Sequence, residues 1–356
     1  MSIMLEPTPT ADVYAGRIAR TLNSGFIALM ISVGHRTGLF DVMAALPPST
    51  SSEIAAAAGL TERYVREWLA AMTSAHIVDH DARTSTFFLH IEYAAVLSRG
   101  AGADNLAPAA QILALVASVE DLVVAGFRSG GGVSPDAYDR LNAFVAAEKK
   151  RSVDESYVEA LLELVPGISA RLEAGAVVLD AGCGDGAVVN VMARLFPRSV
   201  FRGYDVSADA IDRAREGAAE AELANVDFGV GDVATLDEPR AYDLVLALES
   251  IHELGFPRIA LRRIVAALRR DGVFVMQEIA ASSHLSRNVE HPFAPMLYAL
   301  STLHALPVAL GQEGEALGRM WGKERAIQLL GEAGFRNVRF DSMAADALSY
   351  YCVATK

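Results

Sequence analysis

The chain has 356 residues, a net charge of −13 and two cysteines, a length that at ~100–200 residues per domain predicts two domains or three. With 52% hydrophobic and 21% charged residues it can bury a large core, which excludes wholesale disorder. Acids outnumber bases 44 to 31, so the surface repels phosphate backbones and nucleic acid is a poor partner; Cys183 and Cys352 are too few for a disulfide framework and fit a reducing cytoplasm.

The start of the chain, 1–12, carries Glu6, Asp12 and two prolines but no basic stretch, so no secretory leader is expected. Residues 14–46 read as an apolar helical stretch that closes near Gly38, Pro47 and Pro48. Ser51-Ser52-Glu53 then opens a short helix with a capping residue. Gly59-Leu60-Thr61 turns the chain, and Thr61 caps a second helix over 62–73. Val65, Trp68, Leu69 and Met72 share one face of it. Strands at 77–78 and 86–89 flank a polar turn, 79–83. Helix, turn, helix and hairpin make a winged helix. A DNA reader of that shape shows a basic stripe. Residues 41–100 hold seven acids and four bases, and Arg63 and Arg66 stand beside Glu62 and Glu67. That pattern favours a structural or dimerising module.

Another apolar helix is expected over 105–127, a break at Gly130-Gly131-Gly132, and a helical run over 136–165 closed by Pro166-Gly167. From 176 onward strands alternate with helices: strands at 177–179, 200–204, 226–230, 244–248 and 273–279, helices at 187–196, 208–221 and 258–269. This is the rhythm of a doubly wound parallel sheet, an α/β fold. Strands at 338–343 and 350–354 are joined by a short turn region, which favours an antiparallel hairpin at the sheet edge. The longest uncharged run, 292–312, contains three prolines, Ser301, Thr302 and His304, and is expected to be buried cap structure, not a membrane span. The expected organisation is a helical winged-helix domain over 1–135, a connecting helix over 136–169, and an α/β domain over 170–356 with a cap insertion at about 280–322.

The first strand of the second domain runs into Asp180-Ala181-Gly182-Cys183-Gly184-Asp185-Gly186 and then a helix. Glycines there let a ligand approach the backbone and expose amide N–H groups at a helix start. Gly182, Gly184 and Ala187 also satisfy the dinucleotide fingerprint G-x-G-x-x-G/A, so a nicotinamide oxidoreductase and a winged-helix regulator sensing a nucleotide metabolite stay open. Asp205 ends the second strand, 25 positions on from Asp180, where a carboxylate accepts hydrogen bonds from ribose hydroxyls. Asp232 follows the third strand.

The Asp-x-Gly-x-Gly-x-Gly run, Asp205, Asp232, Tyr242-Asp243-Leu244-Val245-Leu246 and the terminal hairpin together resemble the class I S-adenosylmethionine-dependent methyltransferases over about 170–356. The resemblance implies a seven-stranded Rossmann-like sheet and S-adenosylmethionine as cofactor. It places Asp180 near the methionine amino group, with Gly182, Cys183, Gly184 and Gly186 making room for the cofactor. It sets Asp205 and Val206 at the ribose, Asp232 and Val233 at the adenine, and Glu249 and Ser250, at the end of the fourth strand, among the cofactor-binding residues. Cys183 is read as a small residue in a crowded loop, not a nucleophile.

His252 lies just past the fourth strand in Glu249-Ser250-Ile251-His252-Glu253-Leu254. Ligands of open α/β sheets sit beyond the carboxyl ends of strands, and a histidine titrating near neutrality suits a general base. The segment resembles the His-Asp-Trp region of small-molecule O-methyltransferases of the plant phenolic type, with Glu253 and Leu254 in place of Asp and Trp. Those enzymes also carry an N-terminal winged-helix dimerisation domain. The resemblance implies a homodimer, a small-molecule hydroxyl acceptor, His252 as base and Glu249 or Glu253 orienting it. N- or C-methylation, and a His252 that only packs, stay open. In the cap insertion Phe293, Met296, Tyr298, His304, Met320 and Trp321 suit a flat apolar acceptor or plain core. Leu297–His304 and Met320-Trp321-Gly322 also resemble uncharacterised actinobacterial methyltransferases of the same layout. No His, Cys, Asp or Glu cluster has metal-ligand spacing, so no metal is expected.

Overall fold

The structure, a computed structural model, describes residues 10–356 apart from Ala345 and the side chain of Ala103. The stretch 1–9, which holds most of the segment read as lacking a leader, lies outside the described residues, as does Ala345 in the expected turn. The chain forms two compact units that divide between Ser118 and Val119. The composition break at 130–132 predicts a later division. The helical stretch after 119 packs instead with the second unit, and 136–169 is not one helix but Asp139–Ser152, Glu155–Glu163 and the start of Ile168–Ala174.

In the first unit a long helix, Ala11–Thr37, stops where Gly38 takes a left-handed φ of 75° and caps it. Gly34 lets that helix close on its neighbour, because a Cβ there would stand 2.5 Å from Trp68 Cζ2. Trp68 donates its indole N–H to the Met30 carbonyl at 2.8 Å. The helix Ser51–Ala58 is capped by Thr50, one residue earlier than expected, in a capping box with Glu53. Thr61 precedes the helix Glu62–Ser74 in extended geometry but makes no side-chain cap. Val65, Trp68, Leu69 and Met72 are buried on one face as expected. The wing differs in register: the polar residues read as its turn form the strand β1 (Asp79–Asp81), paired antiparallel with β2 (Thr86–Phe88). Exposed edges tolerate charged residues, so polarity there marked a solvated hairpin and not its turn. Arg63 pairs with Glu67 and Arg66 with Glu62, each within the helix.

The second unit is built on seven strands: β3 (Val177–Ala181), β4 (Val200–Asp205), β5 (Val226–Val230), β6 (Tyr242–Leu248), β7 (Leu268–Ile279), β8 (Asn337–Met343) and β9 (Asp346–Thr355). Their order is β5-β4-β3-β6-β7-β9-β8. The strands from β5 to β7 are parallel, and β9 enters antiparallel between β7 and β8. The order reverses between β3 and β6, which makes a crevice beyond their carboxyl ends. Along β6 the side chains alternate: Leu244, Leu246 and Leu248 pack under the helices Ala187–Leu195 and Ala208–Glu220, whereas Val245 and Ala247 pack under Pro257–Ala267 and Gly322–Ala333. β7 starts five residues earlier than expected. Leu268 already pairs with Tyr242, and a register irregularity follows before Leu244 pairs with Val273.

After β7 the cap insertion forms the helix Ala294–Leu300, a π-turn at Ser301–Ala305 and the helix Leu306–Gly311. Residues Ala294–Gly311 are long and apolar enough to cross a membrane by length and composition. Here the stretch is partly buried in the unit, with Val133 N–H donating to the Pro307 carbonyl at 2.9 Å.

Leu69 is fully buried in the first unit's core. Leu69→Ala should lower that unit's stability by about 2–5 kcal/mol, read from denaturant unfolding followed by Trp68 fluorescence. A loss under about 0.5 kcal/mol, the level of a surface change, would contradict this packing.

Candidate active site

The loop after β3 is held in shape by its own backbone. Gly182 and Cys183 donate their N–H groups to the Tyr204 carbonyl at 2.8 and 3.1 Å. Gly182 has φ 81°, and a Cβ there would sit 2.5 Å from Ser250 Cβ. Gly186 has φ 71°, with Phe228 Cζ 2.6 Å from where its Cβ would be. Both positions therefore exclude a side chain. Gly184 differs: a Cβ on it would meet nothing within 4 Å, so its exposed face is open space. Asp205 fastens the loop from β4. One carboxylate oxygen accepts the Gly184 N–H at 2.9 Å and the other the Ser207 N–H at 2.9 Å. Burial pushes the Asp205 carboxyl up, against the pull of those two bonds. Cys183 is buried, and desolvation pushes its thiol well above the usual range, which fits a packing role.

Asp180, the last residue but one of β3, is only 2% exposed, and its Oδ1 has no hydrogen-bond partner among the described residues. Burial pushes its carboxyl to about 6, Lys149 holds it back, and Asp205 adds to the rise. A buried carboxylate with an unused oxygen calls for a cation or a donor beside it. Asp232 caps the short turn Val233–Thr235, accepting the Ala234 N–H at 2.8 Å. The Val233 side chain points into the core, so only its backbone can face a ligand, whereas Val206 is half exposed. Glu249 has φ 58°, a conformation that strains a residue with a side chain, and its N–H donates to the Gln277 carbonyl at 3.0 Å. Ser250 is buried against the glycine loop and donates to the Ala181 carbonyl at 2.7 Å.

His252 follows on a short 3₁₀ turn and is fully buried. Its Nδ1 lies 2.6 Å from Glu278 Oε2, and its backbone N–H donates to Glu278 Oε1 at 3.3 Å. Trp321 donates its indole N–H to the same Glu278 Oε2 at 3.1 Å. The orienting group is therefore Glu278, at the end of β7, and not Glu249. Glu253 sits on the other side of the ring, 3.5 Å from Nε2. Burial works against a charged imidazole, but the Glu278 carboxylate and its hydrogen bond, with Glu253, outweigh it and raise His252 to about 9. Glu253 is held well below the usual carboxylate range; burial opposes this, and His304, His252 and Arg319 overcome it.

The cap residues divide. His304 is buried beside Glu253, with Nδ1 3.3 Å from its carboxylate. Trp321 and Met320 are buried, Trp321 on Glu278 and Met320 in a small cluster with Ile279, Ala294 and Leu297. Tyr298 accepts a hydrogen bond from Asn288 Nδ2 at 2.8 Å. Phe293 and Met296 are 45% and 43% exposed and do not join these buried groups. Among the described residues no group of three or more His, Cys, Asp or Glu is arranged to hold a metal. Sequence reasoning missed Glu278 and Arg319. Glu278 did leave a trace, an acid beside Gln277 within a strand that is otherwise apolar from Val273 to Ile279.

Residues 172–334 match the methyltransferase domain family, and residues 25–99 match the Rv2258c-like winged HTH domain. With the sheet order and the glycine loop, these matches define the class of the two parts: a methyltransferase domain of the class I S-adenosylmethionine-dependent type, preceded by an N-terminal winged helix. Among curated relatives, (S)-coclaurine N-methyltransferase of Papaver somniferum is 27% identical over 132 residues, 37% of either chain. The chain spans about a third of the length of the curated relatives it matches. Among solved structures, a provisionally assigned O-methyltransferase of Nostoc punctiforme has a TM-score of 0.73 at 18% identity, covering 98% of this chain and 100% of that one. Human N-acetylserotonin methyltransferase, solved with S-adenosylmethionine, has a TM-score of 0.64 at 17% identity, covering 99% of each chain. At such identities the likeness establishes the fold.

The residues present fit the cofactor such a domain takes. Asp180 offers a buried unpartnered oxygen, Gly184 an open backbone face, and Asp205 a carboxylate beside them. The Asp180 carboxyl keeps its proton to higher pH in the folded chain than in the unfolded one, so it costs stability as pH rises from its ordinary range through about 6. A cation bound beside it favours the ionised form. Affinity for S-adenosylhomocysteine, whose amino group is cationic, should therefore fall as pH drops through about 6, and Asp180→Asn should flatten that dependence in calorimetric titrations. A slope equally steep in the variant would refute this role for Asp180.

Proposed function

We propose that the protein moves a methyl group to a hydroxyl oxygen of a small molecule, with His252 as the general base. The observation that carries this reading is the buried His252–Glu278 pair, at the carboxyl ends of β6 and β7 and two residues from Ser250 under the glycine loop. When bound, S-adenosylmethionine supplies an electrophilic methyl group on a sulfonium. The chain's own residues hold partners and protons. Asp180, the Gly182–Gly186 loop, Asp205 and Asp232 bind the cofactor, and the acids among them favour its positive charge. Holding two reactants in line contributes several kcal/mol to lowering the barrier. Glu278 fixes the His252 ring by accepting from Nδ1, which leaves the buried Nε2 on the Glu253 side. His252 takes the acceptor proton only when neutral. Its rise to about 9 means the rate should climb with pH until about 9. O-methyltransferases among the structural neighbours support oxygen as the acceptor atom, and N-methyltransferases among the sequence relatives keep nitrogen as the alternative.

The first test is binding. Calorimetry should show S-adenosylhomocysteine binding and no NAD binding; the reverse result removes the reading. Incubating cell extract with labelled S-adenosylmethionine then identifies the product, with the label expected on oxygen. On that acceptor His252→Ala should lose roughly 10²–10⁴-fold in rate, and an undiminished rate sinks the base.

The reading includes a homodimer formed through the winged-helix unit. The first helix leaves Tyr14, Ile18, Leu22 and Phe26 exposed at four-residue spacing, which supports it. Light scattering should return twice the 37.9 kDa chain mass, and a monomeric mass refutes the dimer.

A further inference from the structure

Glu253 is not a spare neighbour of His252. It is the centre of its own partly buried cluster, drawn from three separate segments. Arg319 Nη2 donates to Glu253 Oε1 at 2.9 Å, and His304 Nδ1 lies 3.3 Å from the same oxygen. Arg319 and His304 are themselves 3.5 Å apart. His304 reaches this point because the chain makes a π-turn at Ser301–Ala305, a departure from α-helix found mostly at functional positions. The turn is locked in place: the His304 ring meets the Tyr138 ring edge-on at 4.8 Å, and the Tyr138 hydroxyl donates to the Leu303 carbonyl at 2.8 Å. Ser301 Oγ accepts the Arg319 N–H at 3.0 Å, which ties the π-turn to the arginine's own backbone. His252 thus stands between two carboxylates, Glu278 on Nδ1 and Glu253 on Nε2, and only Glu253 is shared with other donors that carry or can carry positive charge.

We propose that His304 and Arg319 are positioning residues that clamp Glu253 beside Nε2 of His252 and draw off part of its charge, so that His252 can give up its proton. This rests on the reading of His252 as the base. The groups facing His252 are Glu253 from its own turn and Glu278 from β7, which is flanked by Trp321 and by Tyr350 from β9. Those facing His304 are Glu253, Arg319 and Tyr138, and Glu253 also acts at longer range on Asp205. Two unshielded carboxylates would hold the imidazolium more firmly still, to a higher pH than the shielded pair does. Removing a donor from Glu253 leaves more of its charge for His252, and removing the carboxylate leaves less.

The test reads the titration of the His252 ring by NMR in the full-length protein, with the resonance assigned by its loss in His252→Gln. The clamp predicts that His304→Leu raises the His252 midpoint by at least about half a unit and that Glu253→Gln lowers it by a similar amount. His304→Gln keeps a donor and should leave the midpoint near the parent value. An unmoved midpoint in a folded His304→Leu protein, or equal shifts in the Leu and Gln variants, overturns the proposal. If circular dichroism shows the Leu variant unfolded, Glu253→Gln decides alone, and an unmoved midpoint there overturns it too. Since the titration needs no acceptor, it separates the two ideas. Expected shifts alongside a fully active His252→Ala protein would leave the clamp standing and remove the base.

Discussion

The buried pair of His252 and Glu278 is the constraint on which the rest of this site depends. Taking both groups out of water is costly, and the cost is met only by good geometry and by hydrogen bonds to what remains. Glu278 has these bonds: it takes the His252 ring at 2.6 Å, the His252 backbone N–H and the Trp321 indole. The sheet makes the meeting possible. β6 and β7 run parallel with Leu248 opposite Gln277, so the chain leaving β6 passes beside the last residues of β7. Trp321 comes from the start of the helix Gly322–Ala333, whose Gly322 packs so closely on Ser282 and Ser283 that no side chain fits. One ion pair thereby draws together two strands and the end of the cap insertion.

The glycine loop obeys a different logic. There the backbone does the holding, through Tyr204 and Asp205, and the missing side chains leave the space. Ser250 links the two halves. Its Cβ fills the place that a side chain on Gly182 would need, and its hydroxyl bonds to Ala181, two residues before His252. Acids then play two parts within one small region. Asp180 is buried with an unused oxygen and keeps its proton late, whereas Glu253 is ringed by donors and loses its proton early.

Much of this was legible in the sequence, for physical reasons. Alternation of apolar strands and amphipathic helices marked the sheet, because strands buried on both faces must be apolar throughout. Asp180, the glycines, Asp205, Asp232 and His252 stood at strand ends, where local pattern is enough to find them. Glu278 was hidden because it lies inside a strand that otherwise reads as core, and its meaning comes from a partner 26 positions away. Arg319 and His304 were harder still. Their role depends on a π-turn and on a fold of the cap that no local periodicity reports. The wing misled for a simpler reason: its strand is short, exposed and acidic, and looked like its own turn.

The most direct measurement is the acid–base midpoint of the His252 ring in the native protein, compared with Glu278→Gln. The account predicts a midpoint of about 9 that falls when the carboxylate is replaced by an amide. A midpoint near that of an ordinary histidine, about 6.5, and unmoved in Glu278→Gln, would contradict it.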